Sequence, residues 1–86
     1  MMELDLHGTR HEDVDRVVEN FMLLSDVPSK IITGNSDVMK ELTKRVIERH
    51  GFDWEYDIPN YGCIIVTESN KQLMKKLEME LYKGEG

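Results

Sequence analysis

Asp5 and His7 are two positions apart, so on an extended strand both side chains project to the same side. A carboxylate beside an imidazole can orient it as a general base, or, with the ring protonated, the pair can meet a phosphate. The dull alternative makes Asp5 a solvated strand residue and His7 a loop cap, and spacing alone leaves both open. Arg10 and His11 follow closely and add local positive character. A second group, Thr33-Gly34-Asn35-Ser36, combines a glycine able to take positive φ with side chains that cap helices.

These residues need elements to hold them, and the hydropathy pattern switches between period two and period 3.6. Met2, Leu4 and Leu6 alternate with Glu3, Asp5 and His7, which predicts a short half-buried strand. Thr9 and Glu12 have capping-box spacing, so a helix is expected from near Arg10, with Val14, Val17, Val18 and Phe21 on one face and Met22 and Leu24 widening it. Ser29 to Gly34 reads as a second strand with Ile31 and Ile32 buried. Asn35 or Ser36 can cap a second helix whose stripe is Met39, Leu42, Val46 and Ile47, and Gly51 stops it. Phe52, Trp54, Tyr56 and Ile58 form an amphipathic strand, Pro59-Asn60-Tyr61-Gly62 a turn, and Cys63 to Thr67 a buried strand. Ser69 with Gln72 opens a last helix carrying Leu73, Met74, Leu77 and Leu81.

The order β-α-β-α-β-β-α predicts an α/β two-layer sandwich on a mixed four-stranded sheet, with a right-handed parallel crossover and a closing antiparallel hairpin. Residues 1–68 would form the domain, with the helix of residues 69–86 packed on it. That helix can join the first two or cover part of the other sheet face. In open α/β sheets ligands bind at the carboxyl ends of the parallel strands, here His7-Gly8 and Thr33-Gly34-Asn35-Ser36. Both ends run into helix N-termini, whose free N–H groups favour an anion such as phosphate.

Composition narrows the choice. The chain has 86 residues and 40% apolar content, as expected of one small globular domain. Its formal net charge of −6 argues against coating DNA over a broad footprint, leaving a local contact. No apolar run reaches the roughly 20 residues of a membrane span, and no leader opens the chain. A single cysteine fits a reducing compartment, so a cytoplasmic address is expected.

Leu4-Asp5-Leu6-His7-Gly8 resembles the LDLHG signature that opens Smr domains. Thr33-Gly34 looks like the family's HGxG or TGxG motif, and Gly62 before Cys63-Ile64-Ile65-Val66 is similar to its closing glycine and strand. Agreement in order and spacing runs from residue 3 to residue 67. The resemblance implies a fold similar to the C-terminal domain of translation initiation factor three, and DNA or RNA binding with metal-dependent nicking or cleavage in several members. It implies catalytic roles for Asp5 and His7, with Mg²⁺ or Mn²⁺ at Asp5, and phosphate or nucleic-acid contacts at Gly8, Thr33 and Gly34, to which the strand-end topology adds Arg10, His11, Asn35 and Ser36. Ser36 departs from the pattern: it stands where the second motif has its last glycine, capping the helix better but narrowing a ligand's approach.

Other features carry less. Glu3, Asp5, Asp53, Glu55 and Asp57 can share the open sheet face, as a solvated surface or as oxygen ligands for a cation. The three histidines lack zinc spacing, and Cys63 and Trp54 read as packing. Tyr61 can stack on a base or be a plain turn aromatic. Lys71, Lys75 and Lys76 are a solvated face or a basic patch. Three functions are therefore expected to compete: an Smr-like endonuclease, a non-catalytic binding or interaction module, and a partner protein or homo-oligomer using the last helix.

Overall fold

In the computed structural model, residues 1–68 are described. The expected last helix, with Leu73, Met74, Leu77, Leu81 and its lysines, lies outside them. The elements are β1 (Glu3–Asp5), α1 (His11–Leu24), β2 (Ser29–Ile32), α2 (Asp37–Arg49), β3 (Asp53–Asp57) and β4 (Asn60–Thr67). They build a four-stranded mixed sheet of order β1-β2-β4-β3, in which β1 and β2 run parallel and β4 pairs antiparallel with both β2 and β3.

Strand alternation sorts the side chains. Leu4 lies beside Ile31, Ile31 beside Ile64, and Ile64 beside Tyr56, all on the face that meets the helices. Ile31, Ile64 and Val66 from the sheet and Leu6 just after β1 close a core with Val14 and Val18 of α1 and Met39, Val46 and Ile47 of α2. Both helices therefore cover one sheet face, as expected. A bidentate bridge from Arg49 to Asp15, at 2.6 and 3.0 Å, ties α2 to α1. Among the described residues no helix is long and apolar enough to cross a membrane.

Several local expectations are corrected. The Thr9 capping box does not form. The Thr9 N–H instead closes a turn on the Leu6 carbonyl at 3.0 Å, and α1 starts at His11 behind Arg10, which makes no side-chain cap. Strand β2 ends at Ile32. Its inward residues are Ser29 and Ile31, with Thr33 buried just beyond, while Ile32 points to the other face and is half-buried. Met2 and Leu24 are exposed, because β1 starts only at Glu3 and Leu24 is the last residue of α1. The hairpin turn is Ile58-Pro59, so Ile58 is exposed and Asn60 to Gly62 belong to β4. Asn60 makes this possible by accepting the Gly62 N–H on its side-chain oxygen at 3.0 Å.

Candidate functional site

The turn after β1 explains where His7 goes. It runs from Leu6 to Thr9, with Gly8 at φ +77°, the position where a type II turn requires positive φ. His7 thus stands at the turn's tip, its side chain 72% exposed. Asp5 reaches forward two residues, and its Oδ1 accepts both the His7 backbone N–H at 2.9 Å and the ring Nδ1–H at 2.6 Å. These bonds hold the Asp5 carboxyl below the ordinary aspartate value, the backbone bond contributing most. An ionised Asp5 can only accept, so the Nδ1 proton sits between the two residues, and in the neutral imidazole Nε2 is then the acceptor.

Nε2 faces the second loop. Gly34 has φ +69°, and a Cβ built there would lie 3.7 Å from His7 Nε2. The carboxyl ends of β1 and β2 therefore meet in space, as the topology requires. Gly62 fixes that loop from the far side. Its carbonyl accepts the N–H groups of Thr33 at 2.8 Å and Gly34 at 3.0 Å, and a Cβ on Gly62 would meet the Gly34 backbone at 3.4 Å. The tightest neighbour of a Cβ at 62 would be Asn60 Oδ1, 3.2 Å away.

That pinning changes the role of two expected phosphate ligands. Thr33 is buried, and its hydroxyl donates to the carbonyls of Gly34 at 3.0 Å and Gly62 at 3.2 Å. The amides of Thr33 and Gly34 are equally committed, so both residues shape the loop and have no N–H to offer a ligand. Ser36 caps α2, its Oγ accepting the Met39 N–H at 3.2 Å. Asn35 is exposed beside it. Arg10 and His11 are exposed at the start of α1, with the Arg10 guanidinium 3.6 Å from Glu12. Glu12 and Asp13 occupy the first turn of α1 and Asp37 that of α2, so negative side chains already answer part of each helix's N-terminal charge.

Glu3, Asp5, Asp53, Glu55 and Asp57 share the open sheet face, exposed or half-buried. Lys30 crosses it to Asp57 at 3.0 Å, and that bond raises the lysine's proton affinity. Among the described residues no three His, Cys, Asp or Glu side chains gather to hold a metal ion. Asp5 offers one carboxylate whose Oδ1 is engaged twice by His7, a donor set that does not fit a cation held by the protein. Cys63 is buried, with Asn60 Nδ2 3.3 Å from its sulfur, as packing requires.

Two features escaped the sequence reading: the pinning by Gly62 and the fixing of Gly62 by Asn60. The second had a signal, since Asn-x-Gly allows an asparagine to bond the backbone two residues on. Comparison with protein-family models, with curated proteins and with solved structures returned no match.

Proposed function

We propose that the chain is an Smr-like nucleic-acid-processing domain that hydrolyses a phosphodiester at the edge where His7 meets Gly34. We further infer that its fold is that of the C-terminal domain of translation initiation factor three, to which the mixed sheet with two helices on one face is suited. The observation that carries the functional proposal is the Asp5–His7 pair, 2.6 Å apart, with Nε2 turned to the glycine loop. Asp5 orients the ring. Nε2 takes a proton from the attacking water as its oxygen bonds to phosphorus, and returns that proton to the leaving oxygen as the old P–O bond breaks. Gly8 and Gly34 leave room for the backbone of a strand, while Arg10, His11 and Asn35 are the exposed polar side chains nearest in sequence to contact its phosphates. Position along the strand is then set by a few local contacts, as the acidic total demands.

A second function is favoured by a specific observation. Glu12, Asp13 and Asp37 line the two helix starts, and the Thr33 and Gly34 amides are spent on Gly62. Such an edge suits a non-catalytic binding or protein-interaction module better than tight phosphate capture. Incubating the protein with labelled single- and double-stranded DNA and RNA, with Mg²⁺ or Mn²⁺, separates the two. The endonuclease requires cleavage that falls about 10²- to 10⁴-fold in His7→Ala. Binding without cleavage selects the module, and neither binding nor cleavage at low salt removes nucleic acid from the account.

A further inference from the structure

Tyr61 is 55% exposed although it sits in strand β4, immediately before the Gly62 that packs on Gly34. It stands at the same end of the sheet as His7, since β1 and β2 end where β4 begins. With strands about 4.8 Å apart, two spacings separate β1 from β4, so the ring lies on the order of 10 Å along the edge from His7. Its orientation is set from behind: Tyr56 meets it edge-to-face, with centroids 5.4 Å apart and planes at 66°. A contact of that kind uses the edge or one face of Tyr61, so at least one face is left for a flat partner.

The cations nearby sort into committed and free. Lys44 sits 4.5 Å over Trp54 and 5.1 Å over Tyr56 and also pairs with Glu41. Lys40, one turn nearer the start of α2, lies 5.8 Å over Tyr56 and, among the described residues, is in no ion pair. The same tyrosine thus lies beside both Tyr61 and an ammonium that pairs with no carboxylate among the described residues. An open aromatic face and an uncommitted cation beside a phosphodiester site are the two parts of a single-strand track.

Resting on the nuclease or binding role proposed above for the His7 edge, we propose that Tyr61 and Lys40 form a subsite for one nucleotide of a single strand. The base stacks on Tyr61 and its phosphate meets Lys40. Bases inside a duplex are already stacked and cannot reach the ring, so the subsite selects single-stranded nucleic acid. Stacking is indifferent to the sugar, and DNA and RNA of one sequence are both to be compared.

Fluorescence anisotropy of the full chain with labelled eight-nucleotide single-stranded DNA and RNA, and with duplexes of the same sequence, tests this at low salt. The single strands should bind more tightly than the duplexes. Tyr61→Ala should weaken single-strand binding roughly 5- to 150-fold, the range for losing one stack, and Tyr61→Phe should restore it. Should Tyr61→Ala fail to fold, Lys40→Ala carries the test: the salt dependence of binding should drop by about one ion, and an unchanged slope overturns the subsite. Single-strand binding by a folded Tyr61→Ala equal to that of the unsubstituted chain also overturns it, while cleavage lost in His7→Ala would leave the His7 site standing. Absence of any nucleic-acid binding at low salt overturns both.

Discussion

His7 Nε2 stands over Gly34, so near that a methyl group added to that glycine would lie 3.7 Å from the ring nitrogen. The contact joins the ends of two parallel strands that are 27 residues apart in sequence at these positions (34 − 7). Gly34 is constrained by its φ of +69°, a conformation that favours glycine.

Gly34→Ala should therefore affect both stability and function. A non-glycine residue in the left-handed region costs roughly 1–2 kcal/mol, readable as a lower urea midpoint with an unchanged slope. The added methyl would lie in ordinary van der Waals contact with Nε2, so any fall in cleavage or binding at the edge should track the loss of the loop's conformation. Unchanged stability would mean that the loop does not keep its positive φ.

Asp5→Asn probes the pair itself. Both side chains are largely exposed, so the fold should persist. The amide cannot hold the imidazole as the carboxylate does, and the wrong tautomer then becomes available. Loss of cleavage by up to about 10⁴-fold is expected, the scale seen when a carboxylate that orients a catalytic histidine is replaced by an amide. Cleavage at the original rate would remove Asp5 from the mechanism.

Asp15 and Arg49 link the helices, and their bond holds the Asp15 carboxyl below its ordinary value while raising Arg49. A lowered folded-state value means that the unfolded chain binds the proton more readily. The bridge's contribution is then complete above the unfolded aspartate value of about 3.9, and is lost as pH falls through the lower folded-state value. Thermal melts from pH 7 down to pH 2 should show Asp15→Asn less stable than the unsubstituted chain at neutral pH, with the two converging in acid. A gap that persists at pH 2 would assign the effect to packing.

Much of the frame was legible in the residues. Val14, Val18, Met39, Val46 and Ile47 announced two one-sided helices, and the alternation of Leu4 and Leu6 put Asp5 and His7 on one side. Strand β1 ends at Asp5, however, and the turn after it is what brings His7 back to the carboxylate. What the pattern could not carry was long-range bonding. Nothing near Thr33 signals that its amide and hydroxyl are spent on a carbonyl 29 residues away. Nothing near Lys30 signals that Asp57 will neutralise it across a third strand. Ile32 and Met2 misled because hydropathy ranks a residue without saying which side of a short strand it faces or where pairing begins.

A nuclease acting at the His7–Gly34 edge must engage a phosphodiester there. An NMR titration of ¹⁵N-labelled protein with a short single-stranded oligonucleotide, following the imidazole nitrogens as well as the amides, reads this residue by residue. The expected result is a saturable shift of the His7 ring signals together with the amides of Gly8, Gly34 and Asn35. Saturable binding that shifts other residues and leaves the His7 ring unmoved would contradict it.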